Sequence, residues 1–343
     1  MNLYVTNPLT DPRWSELVRN HPHSSAFHQV GFLQALAQTY GYEPTVVTAS
    51  GPDCSLGDGL VLCRIRSFLT GKRLVSLPFA DHCDPLISSG AQFCAYAEWL
   101  QNAQTTEKLN FVEIRPRVTV PSSVLEPSKE YRFHELDLEP SLEKLFSGLH
   151  KSSIQRRIQR AEREHLTYEV GTSTSILRSF YELLAITRRR HRLLPQPKSW
   201  FENLLRFMGN NAHIRLASKN GRPLGAILTL HHRNIVMYKY GCSDHKFHSL
   251  GVMPFLFWRL IEESKNDGMA AIDFGRSDVE QTSLSGFKEK LGARATTITY
   301  LRWPRADADS SRSWFRKSAG LVFSVLPSPA QAVAGKIVYR HVG

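Results

Sequence analysis

The sequence has few of the features that mark disulfide-linked, metal-binding or membrane-spanning proteins. Its 343 residues include only five cysteines, an odd number without a C-x-x-C pair, so neither a disulfide framework nor a structural zinc site is expected. The N-terminus has no basic segment followed by an apolar run, and the apolar residues 319–335 are interrupted by serine and proline. We therefore expect a cytoplasmic protein without a bound metal.

Several common catalytic motifs are also absent. The sequence contains no G-x-S-x-G, G-x-x-x-x-G-K-[ST], H-E-x-x-H or G-x-G-x-x-G motif. These motifs mark hydrolases with a nucleophile elbow, P-loop NTPases, zinc proteases and dinucleotide-binding dehydrogenases. We therefore do not expect any of these four activities.

The charge of the chain is positive and unevenly distributed. Lys and Arg number 43 against 31 Asp and Glu, for a net charge of +12, and the excess lies after residue 140. Nucleotide phosphates, a tRNA or an anionic membrane surface would each suit this sign, and charge alone does not choose among them. A solvated basic face without a partner is the alternative.

Two segments of the chain repeat one order of elements, namely three strands, a helix and a strand. Apolar alternation predicts the strands, and apolar residues on one face predict the helices. Between the copies we predict a strand at 131–138 and helices at 141–166 and 173–190. The first copy is predicted at 45–49, 59–65, 74–79, 91–101 and 111–114, and the second at 214–218, 225–230, 235–240, 253–264 and 270–274.

The most specific motif lies in the second copy. Residues 272–277 read Ile-Asp-Phe-Gly-Arg-Ser, residues 285–293 read Ser-Gly-Phe-Lys-Glu-Lys-Leu-Gly-Ala, and a predicted strand through Tyr300 follows. These residues resemble the FemAB-like acyltransferases and the related BioF2-like acetyltransferases, in which D-F-G-R-S precedes a G-x-x-F-K-x-x-x-G-A segment. The resemblance covers most of residues 20–302. Residues 314–340 resemble the tail of members that accompany exosortase and exopolysaccharide systems.

The resemblance implies an α/β (α+β) protein with two tandem GNAT-type domains, each a mixed, mainly antiparallel sheet flanked by helices. We predict domains at 1–137 and 138–303 and a basic, apolar tail at 304–343. The implied function is transfer of an acyl group to an amine or hydroxyl of a cell-envelope or exopolysaccharide precursor. Members of the family use acyl-CoA or aminoacyl-tRNA as donor. Arg115-Pro116 replaces the Asp-Pro of the peptidoglycan ligases, which favours acyl-CoA.

Acyl transfer requires stabilisation of an oxyanion and a group that accepts a proton. By resemblance, Lys288 is predicted to stabilise the oxyanion or to bind a donor phosphate. Asp273 is predicted to orient Arg276 or to act as a base, and Arg276 to bind a phosphate or carboxylate. A surface lysine and a structural Asp–Arg pair are the alternatives for these residues.

Two further groups are predicted to bind substrates. The loop before the helix of the second copy corresponds to the CoA pyrophosphate loop of GNAT enzymes, and its helix is expected to be capped by Ser249. The predicted donor-binding residues are Lys246, Ser249, Leu250, Gly251 and Val252. The predicted acceptor-binding residues are Asp81, His82, Arg115, Arg156 and Arg160, with His82 also a candidate proton carrier.

Two other functions remain open at this stage. The basic segment 141–200 favours an aminoacyl-tRNA-dependent aminoacyltransferase that builds peptidoglycan bridges. A non-catalytic scaffold at the inner membrane is the second alternative, with peripheral contact through the basic Arg312–Lys317 segment and the apolar Leu321–Leu326 segment. The sequence does not predict an oligomeric state.

Overall fold

A computed structural model describes residues 1–121, 124–305, 335 and 338–341. The helices are α1 (Pro12–Asn20), α2 (Val30–Tyr40), α3 (Gly90–Thr106), α4 (Leu142–Gly148), α5 (Arg156–Arg163), α6 (Thr174–Arg190), α7 (Lys198–Met208), α8 (Val252–Asn266) and α9 (Thr282–Lys290). The strands are β1 (Tyr4–Thr6), β2 (Glu43–Thr48), β3 (Leu60–Ser67), β4 (Gly71–Val75), β5 (Phe111–Ile114), β6 (Glu126–Asp137), β7 (Thr167–Gly171), β8 (Ala212–Lys219), β9 (Arg222–His232), β10 (Ile235–Ser243), β11 (Ala271–Asp278) and β12 (Arg294–Trp303).

All the named strands belong to one 12-stranded sheet with the order β1-β2-β3-β4-β5-β12-β6-β11-β10-β9-β8-β7. Counted from its outer edge, each half has the same arrangement. The first half runs β1-β2-β3-β4-β5 and is followed by β12, and the second runs β7-β8-β9-β10-β11 and is followed by β6. In each half a helix connects two parallel strands, β4–α3–β5 and β10–α8–β11, and the other neighbours are antiparallel. The predicted repeat is therefore a structural repeat, and the predicted mixed, mainly antiparallel sheet is confirmed.

The two halves exchange their last strands. Strand β6, which ends the first half of the chain, pairs with β11, and β12, which ends the second half, pairs with β5. In the centre β6 and β12 pair antiparallel from Arg294↔Glu135 to Arg302↔Glu126. Backbone hydrogen bonds thus make the halves continuous, and the predicted boundary at residue 137 remains a prediction.

Some elements differ from the sequence prediction. The helix predicted at 141–166 is interrupted, because Leu149 and His150 are extended and a π-helical turn at Lys151–Gln155 follows before α5. Ser141 caps α4, because its hydroxyl accepts a hydrogen bond from the Lys144 backbone N–H. Sequence analysis did not predict β1, α1, β7 or α7. None of the described helices combines the length and the apolar character that a membrane span requires.

The C-terminal end of the chain packs on the first half. The backbone carbonyl of His341 accepts hydrogen bonds from the Thr70 hydroxyl, at 2.7 Å, and from Nη2 of the fully buried Arg73, at 2.9 Å. Tyr42 donates its hydroxyl hydrogen to backbone carbonyls of the same segment. This end of the predicted tail is thus part of the fold, whereas Arg312–Lys317 and Leu321–Leu326 lie outside the described residues.

Removing residues 338–343 should destabilise the protein. The truncation takes from the buried Arg73 one of its hydrogen-bond acceptors, which typically costs about 1–3 kcal/mol in the free energy of unfolding. Thermal denaturation should therefore show a melting temperature lowered by several degrees. His341→Ala keeps the backbone carbonyl and should have a smaller effect. Equal melting temperatures for the truncated and full-length chains would contradict this account.

Candidate functional site

The candidate site lies where the loop after β4 meets the second half of the sheet. His82 Nε2 lies 2.7 Å from Oδ2 of Asp273 on β11. Its neighbour Asp81 accepts a hydrogen bond from Lys239 Nζ on β10 at 2.9 Å. Two adjacent residues of the first half therefore pair with two strands of the second half, and all four side chains are at least four-fifths buried.

The path of this loop explains how the pairs form. Strand β4 was predicted to continue to Phe79, but it ends at Val75, and Phe79 has a φ of +62°, an unfavourable value for a bulky residue. The Arg115 guanidinium donates hydrogen bonds to the carbonyls of Leu77 and Ala80. The Tyr300 hydroxyl donates to the carbonyl of Asp81 at 2.7 Å. These contacts turn the loop towards β11.

One ring nitrogen of His82 makes no hydrogen bond with the described residues. The residue is 3% exposed, and its ring packs against those of Phe27 and Phe133. Nδ1 is buried and has no hydrogen-bond partner among the described residues. Burial lowers the pKa of His82, but the charge and hydrogen bond of Asp273, together with the charge of Asp84, raise it, and the net pKa lies above the usual value. With Nε2–H donated to Asp273, the neutral imidazole has a free lone pair at Nδ1.

A bulge in β11 brings Asp81 and Asp273 close to the backbone. The pairing of β11 with β6 shifts register between Asp273 and Arg276, and Gly275 between them has a φ of +67°. Asp273 Oδ1 accepts a hydrogen bond from the Gly275 N–H at 2.6 Å. A Cβ on Gly275 would lie 3.0 Å from Asp81 Oδ2. Glycine is therefore required here both by its conformation and by its neighbour.

Lys288 on α9 is 3% exposed and points at this bulge rather than into solvent. Its ammonium donates hydrogen bonds to the carbonyls of Gly275 and Arg276 and to the Ser277 hydroxyl, at 3.1, 3.3 and 2.9 Å. Burial lowers the pKa of Lys288 to about 8, against the opposing effect of Asp81 and Asp273. Each of the three ammonium protons has an acceptor, so in this structure Lys288 holds the bulge of β11 in place. Its predicted contact with the reacting carbonyl remains a prediction.

Arg276 is the least enclosed cation of the cluster, with 28% of its side chain exposed. Its guanidinium carbon lies 3.8 Å from the centre of the Tyr131 ring, and its Nε is 3.8 Å from Asp81 Oδ1. Nε makes no hydrogen bond with the described residues. A guanidinium oriented by an aromatic ring, with donors unused, is suited to a phosphate or carboxylate. The predicted Asp273–Arg276 contact is replaced by Asp273–His82.

The cluster carries more positive than negative charge. Burial raises the pKa of Asp81, but Lys239 and Arg276 lower it by more, so Asp81 stays ionised. Together with Lys288, these cations outnumber the carboxylates of Asp81 and Asp273. Such an excess favours an anionic ligand or a transition state that develops negative charge. No group of side chains suited to a metal ion occurs among residues 1–121 and 124–305.

The two parallel strand pairs differ in a way that bears on ligand binding. In the first half, the gap beyond β4 and β5 is closed by hydrogen bonds from Ser76 N to Glu113 O and from Arg115 N to Ser76 Oγ, both 2.8 Å. In the second half, pairing ends at Met237↔Asp273, and β10 bulges between Tyr238 and Tyr240. Over the described residues, no backbone hydrogen bond joins the two strands beyond that point. Beyond Met237 and Asp273, β10 and β11 are therefore not joined in the way that β4 and β5 are.

The predicted donor loop lies at the start of α8 beside this gap. Lys246, Ser249 and Leu250 belong to the 3₁₀ helix His245–Leu250, and Gly251 precedes α8 with a φ of +80°. Ser249 is exposed and does not cap α8, whose N-cap is Gly251, so that expectation was wrong. Pro254 in the first turn of α8 lacks an N–H, which reduces the donors available to a phosphate.

Cations from neighbouring helices surround that loop. Arg157 on α5 donates to the carbonyl of His248 at 3.0 Å, and Arg190 at the end of α6 lies 3.5 Å from His248 Nε2. A Cβ on Gly251 would lie 2.1 Å from the Arg157 carbonyl oxygen, so α5 packs directly on the loop. The loop therefore combines helix N–H groups with two guanidinium groups that sequence analysis did not assign to it.

The other predicted acceptor residues have different surroundings. Arg115 is mostly buried and donates to Glu113, Leu77 and Ala80, so it braces the loop that carries Asp81. Arg156 and Arg160 lie on the exposed face of α5, where Arg160 pairs with Glu164 at 3.2 Å. No described contact connects Arg156 or Arg160 with Asp81 or His82.

Sequence analysis missed three residues of the site: Lys239, Tyr131 and Tyr300. Lys239 interrupts the apolar strand Ile235–Ser243, and a lysine in a buried strand is a usable signal because such lysines normally have a partner. The tyrosines carry no comparable signal. Their role depends on the pairing of β6 with β11 and β12, which local pattern does not reveal.

Comparison with known proteins agrees with this architecture. Residues 149–289 match the family model described as an acetyltransferase (GNAT) domain. No curated protein matches the sequence. FemX matches over 93% of this chain and 100% of its own, with 13% identity and a TM-score of 0.68.

Two further solved structures have the same fold. The C-terminal domain of a putative lysylphosphatidylglycerol synthetase from Agrobacterium fabrum covers 90% of this chain and 94% of its own, at 12% identity and a TM-score of 0.58. A tandem GNAT protein from the clavulanic acid biosynthesis pathway covers 90% and 100%, at 12% identity and a TM-score of 0.54. At these identities the likeness establishes the fold. Residues 149–289 thus match a GNAT domain, and the chain has the fold of FemX and of the tandem GNAT protein.

Proposed function

We propose that this protein is an acyltransferase in which the His82–Asp273 pair accepts the proton of the attacking nucleophile. The observation that carries the proposal is the 2.7 Å contact between the two buried side chains, which leaves Nδ1 of His82 without a partner. An imidazole oriented by a carboxylate is a common general base, because the carboxylate fixes the tautomer and stabilises the imidazolium.

The proposed reaction moves an acyl group from a donor to an amine or hydroxyl. The nucleophile attacks the acyl carbonyl, its proton passes to His82 Nδ1, and the tetrahedral oxyanion collapses with loss of the donor's leaving group. The imidazolium then returns the proton to that group. Asp273 acts through His82 and is a positioning residue, and Lys288 positions β11. The cations around Asp81 stabilise the negative charge that develops on the carbonyl oxygen.

We place the donor in the gap between β10 and β11, with its phosphates at the start of α8. The gap lacks the hydrogen bonds that close its counterpart between β4 and β5. Arg157, Arg190 and Lys246 supply positive charge beside the N–H groups of the α8 terminus. This arrangement supports acyl-CoA as donor.

We place the acceptor between the two halves of the chain, beside Arg276 and Tyr131. The unused donors of Arg276 favour an acceptor with a phosphate or carboxylate group, as expected for a cell-envelope or exopolysaccharide precursor. The cytoplasmic location expected from the sequence is retained as part of the proposal.

An aminoacyl-tRNA donor is the second candidate, favoured by the exposed basic side chains of α5 and the end of α6. Arg156, Arg189 and Arg190 are exposed there. A tRNA would bind these residues through its phosphates, and its affinity would fall steeply with salt.

The donor is tested by measuring CoA thiol release and binding with a series of acyl-CoA compounds. Arg190→Gln and Lys246→Gln should each raise the Kd for acyl-CoA about tenfold, the usual loss for a charge-assisted contact. Arg160→Gln, whose partner is Glu164, is the matched control and should bind as the wild type. Filter binding of aminoacyl-tRNA over a salt series is run in parallel. Tight, salt-sensitive tRNA binding without acyl-CoA binding would favour the alternative, and binding of neither would favour a scaffold.

The general base is tested with His82→Gln and Asp273→Asn. His82→Gln retains a donor for Asp273 but cannot accept a proton, so kcat should fall by roughly 100-fold or more, with little change in KM. Activity should rise with pH through the raised pKa of His82, and Asp273→Asn should shift that rise to lower pH. His213→Gln alters another histidine with a buried, unpartnered Nδ1, on β8, and should remain active. Turnover of His82→Gln within threefold of the wild type would refute the assignment.

The role of Lys288 is tested by its pH dependence. Because its pKa is lowered to about 8, activity should decline as pH rises through 8 and the ammonium loses a proton. Lys288→Arg keeps the charge and should shift the decline to higher pH. Between pH 8 and 10.5 the unfolded chain binds more protons, so the stability contribution of Lys288 should rise with pH. Lys288→Ala should lower both activity and melting temperature. An unchanged melting temperature would contradict its bonds to β11.

A further inference from the structure

The turn between β3 and β4 presents two apolar side chains to solvent. Phe68 is 84% exposed and Leu69 48% exposed, and no other large apolar side chain of the described residues is as exposed as Phe68. We call Arg66–Lys72 the Phe68 turn. Two adjacent exposed apolar residues at the tip of a turn, rimmed by polar side chains, are typical of an interaction site.

The Phe68 turn is well ordered by its own contacts. The Ser67 hydroxyl accepts hydrogen bonds from the backbone N–H groups of Leu69, at 3.1 Å, and Thr70, at 2.9 Å. His341 Nδ1 lies 3.0 Å from the same hydroxyl, and its ring lies 4.5 Å from that of Phe68. Phe68 is therefore exposed on a turn that hydrogen bonds hold in place, and the C-terminal segment supports that turn.

Cationic side chains lie on the turn and in the two cavities that Arg66 and Lys72 help to line. Arg66, Lys72 and Arg340 are exposed, with Arg66 3.7 Å from the exposed Glu43, and Arg64 is half-buried against Glu107. They line two neighbouring cavities of about 270 and 150 Å³ that share Arg64 and Arg66. Glu43 and Glu107 are the acidic side chains lining these cavities, so positive charge is in excess. Exposed apolar side chains with cations nearby are typical of a surface that binds anionic phospholipid membranes. The apolar side chains enter the membrane interface, and the cations attract the lipid phosphates.

We propose that the Phe68 turn docks this protein on an anionic phospholipid surface. Phe68 and Leu69 enter the interfacial region, and Arg66, Lys72 and Arg340 contact lipid phosphates. Two apolar side chains give only weak attachment, so the cations are needed. A stable protein partner would bury about 20–30 residues a side, far more apolar surface than this turn offers, which is why we favour the lipid surface.

The docking surface is separate from the candidate site. The Phe68 turn precedes β4, whereas Asp81 and His82 follow the other end of that strand. Attachment therefore leaves Asp81 and His82 unobstructed. Loss of docking and loss of acyl transfer can be observed independently, so this proposal does not rest on the proposed function.

The test is sedimentation of the full chain with vesicles of phosphatidylcholine containing about a third phosphatidylglycerol. Phe68→Ser combined with Leu69→Ser should reduce the bound fraction at least fivefold, whereas Phe68→Trp should retain binding. Arg66→Gln combined with Lys72→Gln should weaken binding, and added salt should weaken it further. Val5→Ser removes another exposed apolar side chain, on β1, and is the matched control.

Three outcomes would overturn the proposal. The wild type fails to bind the anionic vesicles, it binds pure phosphatidylcholine vesicles equally well, or the Phe68→Ser, Leu69→Ser variant binds as strongly as the wild type. The last result would assign any membrane contact to another part of the chain. Equal melting temperatures for wild type and variants exclude misfolding as the cause of lost binding.

Discussion

The exchange of the last strand between the two halves determines the rest of this structure. Because β6 pairs with β11 and β12 pairs with β5, each half completes its sheet with a strand from the other. The halves are fixed by backbone hydrogen bonds along the central β6–β12 pair, not by side-chain packing alone. This fixed geometry sets the loop after β4 against β11, and the pairing of His82 with Asp273 depends on it.

The ion pairs of the site depend on that geometry. Every charged side chain of the cluster is mostly buried, and burial alone would favour neutral forms. Each buried group has a close partner of opposite charge or a hydrogen-bond partner: Asp81 lies between Lys239 and Arg276, and His82 pairs with Asp273. Removing one member leaves an uncompensated charge in a largely enclosed cluster, so substitutions there are expected to affect folding as well as chemistry.

Sequence analysis predicts much of the fold, because buried faces impose a regular apolar period on the repeated strands and on α3, α6 and α8. Strand β7 is largely exposed and lacks that signal. Helix α7 has a regular apolar face, so the sequence pattern was sufficient to predict it. Asp81, His82, Asp273, Arg276 and Lys288 were identified and lie together. Their pairing was not predicted, because it depends on strand exchange and on bulges in β10 and β11. The prediction that Ser249 caps α8 was wrong, because the N-cap of α8 is Gly251 in a left-handed conformation.

The strand exchange also constrains the order in which the chain can fold on the ribosome. When β5 emerges, its outer edge has no partner until β12 has been made, near residue 303. During that interval the first half presents an open sheet edge, a surface that readily pairs with other chains. Co-translational folding of this protein therefore has to shield a vacant edge until nearly the whole described chain has been synthesised.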